Sequence, residues 1–210
     1  MDSDATTTPQ PPNTARQLQI PAALALADLV AIFEDLKVVL GSCEQMIAEI
    51  NDGEGKNTLG IEGLWTNVLL AWHRCFIPGP RGMGLTEQDL TDTGLEGEVV
   101  QWHAMLGQIR ELFVDSEANP RESFTVGATQ DADGAANGVA IMSSMRPQMD
   151  ERTVRQTGQI AYALSQLVDG RIKTQQEKVL NSAQAMTTDA LNALPLVELS
   201  GFESEEPPAG

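Results

Sequence analysis

A spacing of apolar residues near the start of the sequence restricts the fold more than any other feature. Leu26, Leu29, Phe33, Leu36, Leu40, Cys43, Ile47 and Ile50 follow one another in steps of three and four. Only a helix gathers positions so spaced onto one stripe, and a stripe that long has to bury against other elements. Asp28, Glu34, Asp35, Lys37, Glu44 and Glu49 fall off it. The spacing predicts a helix over 21–50. Pro21 suits its first turn because the ring fixes φ, and Asn51-Asp52-Gly53-Glu54-Gly55 ends it. Such a stripe is the core-facing side of a bundle helix or the seam of a dimeric coiled coil. Gly41 argues against the seam, since glycine costs about 1 kcal/mol in a helix interior.

Further helical periods follow. Ile61, Leu64, Trp65, Val68, Leu69, Trp72 and Phe76 share a face over 58–76, and Ile77-Pro78-Gly79-Pro80 stops that helix by removing a donor and blocking the preceding turn. After a glycine-rich loop, Arg81-Gly82-Met83-Gly84, the run Thr86-Glu87-Gln88-Asp89 has the pattern of a capping box with Asp in place of Glu, opening a short helix. Val99, Trp102, His103, Leu106, Ile109 and Phe113 predict another helix over 97–114. The period then drops to two. Phe124, Val126 and Ala128 alternate with Thr125, Gly127 and Thr129, and Val139, Ile141 and Ser143 alternate with Ala140, Met142 and Ser144, around a turn-rich loop at 130–138. That is a β-hairpin. A last long helix, capped by Asp150 and running to about 186, carries Val154, Ala161, Leu164, Val168, Ile172 and Val179. The expected fold is mainly α: a bundle of three to four long helices with a small hairpin, the last helix packed along the first. Residues 1–20 and 191–210, rich in Pro, Ser, Thr and Glu, are expected to be disordered tails around a single domain at 21–190.

Charge narrows the partners. Thirty Asp and Glu against thirteen Lys and Arg give a formal charge of −17 over 210 residues. A field of that sign repels nucleic acid and anionic lipid, and it attracts a basic protein. The stretch with a basic excess, 146–178, sets Arg146, Arg152, Arg155, Arg171, Lys173 and Lys178 among four acids, too dilute for a patch. The acidic, proline-rich start lacks the layout of a signal peptide, and the nearly apolar run 20–33 contains Asp28 and is too short to span a bilayer. A cytoplasmic protein is expected. Cys43 and Cys75 lie on apolar helix faces and read as buried thiols.

Catalytic motifs are incomplete. There is no G-x-S-x-G, no H-E-x-x-H and no paired C-x-x-C. Gly53-Glu54-Gly55-Lys56 shares glycines and a lysine with a phosphate loop but lacks the first glycine and the following Ser or Thr. Asp131, Asp133 and Asn137 could suggest a calcium loop, yet no glutamate closes it before Asp150, so a hairpin turn explains them. His73 and His103 are the chain's two histidines, each beside a tryptophan. Structural roles are expected for both, because metal binding needs further facing ligands that the sequence does not supply. Neither a metal nor a cofactor is expected.

Trp102-His103-x-x-Leu106-x-x-x-Arg110-Glu111, followed by Asn119-Pro120-x-Glu122 and Val126-Gly127, resembles a group of bacterial proteins related to the HEPN superfamily. The likeness extends to Leu64-Trp65, Arg74-Cys75-Phe76, Gly84-Leu85-Thr86 and Ser143-Ser144-Met145-Arg146-Pro147, covering about 25–180; order and spacing carry it. HEPN ribonucleases cleave RNA without metal, using an arginine and a histidine four to six residues beyond it, usually across a dimer interface. The resemblance makes Arg110 the motif arginine and Glu111 its polar neighbour. The histidine is missing. Leu112, Phe113, Val114, Asp115, Ser116 and Glu117 follow, with Ser116 at the expected place. None of these replaces an imidazole, and the carboxylates would repel a scissile phosphate. Arg110 also has a plainer reading, as an arginine offsetting a helix C-terminus and the nearby acids.

Three functions remain open. The first is a noncatalytic HEPN-like protein acting through a protein partner, a basic one or a second copy, in a toxin–antitoxin, defence or stress system. The second is a metal-independent RNA-processing enzyme using Arg110 with His103 as the base. The third is a phage-encoded or other structural and assembly protein whose amphipathic helices associate.

Overall fold

The computed structural model describes residues 14–52, 58–78, 82–115, 119–145 and 149–198. The elements in chain order are β1 (Thr14–Arg16), α1 (Pro21–Asn51), α2 (Thr58–Phe76), α3 (Glu87–Asp92), α4 (Val99–Val114), β2 (Glu122–Gln130), β3 (Ala136–Met145), α5 (Glu151–Gln184), α6 (Thr188–Asn192) and β4 (Leu196–Glu198). The mainly helical class with a small hairpin is as the sequence predicts.

α1 is the central helix and packs lengthwise against α2 and α5. Its buried apolar residues are Leu29, Ile32, Leu36, Val39, Cys43 and Met46, again in steps of three and four. Phe33, Leu40, Ile47 and Ile50 of the predicted stripe are only partly buried against that core. The buried line is therefore turned by about one residue toward Ile32, Val39 and Met46. The cause is that α1 is sandwiched: two neighbours demand an apolar arc wider than one stripe. Arg74 of α2 reaches the buried Asp35 carboxylate, Nε to Oδ1 at 3.1 Å, and Asn67 donates to Ser42 Oγ at 3.3 Å. These contacts set α2 antiparallel to α1. On the other side, Gly158 of α5 lies against Cys43, where a Cβ would meet the Cys43 Cβ at 3.5 Å. Gln175 donates to the carbonyl of Ala22 at 2.9 Å, so α5 is antiparallel to α1 as well. Burial on α5 runs from Val154 to Val168 and then fades, leaving Leu180 exposed. Cys43 and Cys75 are both buried, and burial pushes the Cys43 thiol up to about 12, helped by Glu44.

α3 carries the complete capping box. Asp89 Oδ2 accepts from Thr86 N at 2.7 Å while the Thr86 hydroxyl oxygen accepts from Asp89 N. Asp89 also pairs with Arg171, which ties α3 to α5. α4 begins at Val99, after Gly97, whose φ of +102° lies outside the helical region and sets the start later than 97. Trp102 of α4 donates to Thr157 Oγ1 of α5 at 3.2 Å.

Part of the expected tail regions is structured. β1 pairs antiparallel with β4, Ala15 opposite Val197, and Arg16 Nη1 donates to the Leu194 carbonyl at 2.9 Å. Because α1 starts and α5 ends at the same end of the bundle, the segments flanking them meet and can exchange backbone hydrogen bonds. α6, capped by Thr187, stands between. The expectations for 1–13 and 199–210, and those for Gly53-Glu54-Gly55-Lys56 and Ser116, fall outside the described residues.

Candidate functional site

Two helices build one pocket. α2 contributes Leu69, Trp72, His73 and Phe76; α4 contributes His103, Leu106, Gly107 and Arg110. Both sets have i, i+3, i+4, i+7 spacing, so each lies along a single face of its helix. With Ile77 they enclose about 240 Å³. No carboxylate is among the lining residues, although the chain has thirty Asp and Glu.

His103 is held at one edge. The Trp72 indole N–H donates to His103 Nδ1 at 3.0 Å, and the Phe76 ring lies 4.1 Å from the imidazole, centroid to centroid. A ring accepting at Nδ1 in its neutral form carries its proton on Nε2. Burial lowers the pKa of His103; His73 lowers it further and Glu87 opposes. His73 is lowered in the same way, by burial first and then by the charge of Arg110, against the pull of Glu111. The pocket therefore holds two neutral imidazoles near neutral pH.

Arg110 closes the other end. Its side chain is 20% exposed and its Nη2 pairs with Glu111, which is 62% exposed. Its Nε is buried with no hydrogen-bond partner, one of two such side-chain atoms among the described residues, the other being Trp65 Nε1.

The sequence-predicted residues His103 and Arg110 thus come together, with Glu111 on the exposed side of the arginine. His73, assigned only a structural role from the sequence, joins them, as do Trp72 and Gly107. The apolar stripes read from the sequence include Leu69, Trp72, Phe76, His103 and Leu106 but not His73, Gly107 or Arg110, and they do not say which helix faces which. Among the described residues no group of three or more His, Cys, Asp or Glu is placed to hold a metal ion. The Asp131 loop is a turn: Asp131 Oδ1 accepts from Asp133 N at 3.0 Å and Ala135 N at 2.9 Å, and Gly134 takes a φ of +84°.

A second feature is the β2–β3 hairpin. Val126 pairs with Ile141 and Ala128 with Val139. Alternation then sets Phe124, Val126, Ala128, Val139, Ile141 and Met145 on one face, with Glu122 and Ser143 at its base end, and Thr125, Gly127, Thr129, Ala140, Met142 and Ser144 on the other. The apolar face is uncovered: exposure runs from 57% at Phe124 to 73% at Val139. At the hairpin base Asn119 Oδ1 accepts from Arg121 N at 2.8 Å and Glu122 N at 3.1 Å, and Arg121 Nε donates to Glu62 of α2 at 2.9 Å. A wider, open groove of about 750 Å³ between the α3–α4 connection and the start of α5 carries acids and arginines together, including Glu96, Glu98, Arg152 and Arg155.

No helix among the described residues is long and apolar enough to cross a membrane. Comparison with protein-family models, curated proteins and solved structures finds no match.

Proposed function

We propose that the protein is a noncatalytic, HEPN-like scaffold that works by binding other polypeptides, and that a second copy of this chain docks on the β2–β3 hairpin. The exposed apolar face of that hairpin carries the reading. A lone two-stranded hairpin is marginally stable in water, and β2–β3 has no buried hydrophobic side chain of its own. The exposed Phe124, Val126, Val139, Ile141 and Met145 make a patch of roughly 500 Å², as large as the largest patch a typical monomer shows. Two such patches face to face bury roughly 1,000 Å², the floor for a specific interface. Charge selects the second copy. Two bodies of −17 repel each other, but 123–130 and 134–145 contain no charged residue, so the face brings no carboxylate to the contact except Glu122 at its base. A twofold axis through paired hairpins would close the assembly. The acidic body would then stay free for a basic protein, in a toxin–antitoxin, defence or stress setting.

The test is molar mass by light scattering across a concentration series, on wild type and on Ile141→Glu. That substitution alters an exposed side chain and leaves the helical core alone. Wild type should approach twice the chain mass and the variant should stay monomeric. A wild type that is monomeric throughout overturns the reading.

A second reading, metal-independent RNA cleavage using Arg110, draws on that residue's sharing one pocket with His73 and His103, although the bond from Trp72 leaves neutral His103 no lone pair with which to serve as the base. It predicts labelled-RNA cleavage that Arg110→Ala abolishes. The noncatalytic reading predicts the same background for both proteins.

A further inference from the structure

We propose that the groove between α2 and α4 is a binding pocket for a small organic monocarboxylate with an apolar, planar body, held at its charged end by Arg110 and the imidazole N–H groups of His73 and His103. The inference is independent of the hairpin, which contributes nothing to this pocket.

Size sets the first limit. About 240 Å³ lies below the range that houses drug-sized ligands and suits a molecule of one ring. The walls set the second. Leu69, Leu106 and Ile77 are aliphatic, and Trp72 and Phe76 offer ring surfaces, their centroids 5.3 Å apart. Walls of this kind reward an apolar body and penalise an ion without one. The third limit is the polarity of what remains. His103 has its Nδ1 lone pair committed to Trp72, so its other nitrogen offers a donor. Arg110 has an unsatisfied Nε–H beside the pocket. Apart from the acceptor nitrogen of neutral His73, the available groups are donors and one positive charge, which call for an acceptor bearing negative charge. A single charge is enough, because Glu111 already occupies one arm of the guanidinium. A phosphate dianion would find too few donors between apolar walls. The buried Nε–H has no partner within the protein, and a carboxylate that meets it after a turn of the Arg110 side chain satisfies a donor that is costly to leave unpaired.

Gly107 keeps the space open. A Cβ built there meets nothing within 4 Å, so a larger side chain would enter the cavity and not the core. Because glycine is a poor residue inside a helix, replacing it should not weaken α4.

The experiment titrates the full chain with benzoate, followed by calorimetry and by the ring resonances of the two histidines. Expected are saturable binding with a Kd of about 1 mM or tighter and shifts at both His73 and His103. The neutral isostere benzamide and inorganic phosphate should bind at least about tenfold more weakly. Gly107→Leu, which fills the space, and Arg110→Gln, which removes the charge, should each abolish binding while their thermal melts stay cooperative. Benzamide tests the charge requirement without any substitution, so a variant that fails to fold leaves the proposal testable. No saturation by benzoate, equal binding of benzamide or phosphate, or binding that survives in Gly107→Leu would each overturn it.

Discussion

His103 is neutral because of its surroundings. Its Nδ1 accepts from Trp72 and its ring lies against Phe76, so a second proton would have to displace the indole N–H inside an apolar setting. Both histidines have pKa values below the ordinary 6.5, with burial the first cause. In the unfolded chain they protonate near the ordinary value, so between the folded and unfolded values the unfolded state binds more protons and stability rises with pH. Their favourable contribution is therefore complete above 6.5 and is lost as the pH falls from there through the folded values. Urea midpoints at pH 7.5 and 5.5 should show a drop in wild type that His73→Gln/His103→Gln makes smaller. An equal drop in both proteins would show that these imidazoles do not carry the effect. Glu87 and Glu111, which pull the two pKa values back up, limit its size.

At the level of elements, α3 shows how far local sequence reaches. Thr86 and Asp89 could be read as a capping box from their spacing, and the box forms. Arg171, lying 82 residues further on, could not be read as the partner of Asp89, because nothing in the local pattern says which helix will pass by. Burial works against the charge on Asp89, but the hydrogen bonds from Arg171 and Thr86 outweigh it and hold the carboxyl below its usual range. Asp89→Asn should cost roughly 2–3 kcal/mol at pH 7 in urea denaturation, combining a lost cap with a broken, partly buried pair. Since the pKa is depressed, the advantage of wild type is present above the ordinary 3.8 and disappears as the pH drops through the folded value. A gap that stays constant down to that pH would contradict the assignment. α1 was legible in extent and wrong by about one residue in facing, since its stripe carries no record of the two helices that flank it. The hairpin was legible in period. Alternation normally marks a strand half-buried against a core, and only the fold shows that its apolar side meets no helix.

For the molecule as a whole, charge and topology pull in different directions. A body of −17 disfavours self-association almost anywhere on its surface, while the fold displays one apolar face, charged only at Glu122 at its base, away from its core. The pocket was half legible. His103 and Arg110 stood out in sequence, but their meeting with His73 depends on α2 lying beside α4, a long-range fact that no spacing encodes. The decisive measurement is amide hydrogen exchange across β2 and β3 as protein concentration is raised. If a second copy covers the apolar face, amides such as those of Val126 and Ile141 should exchange slowly in concentrated wild type, and quickly on dilution or in Ile141→Glu. Fast exchange along both strands at every concentration would contradict the docking of a second copy.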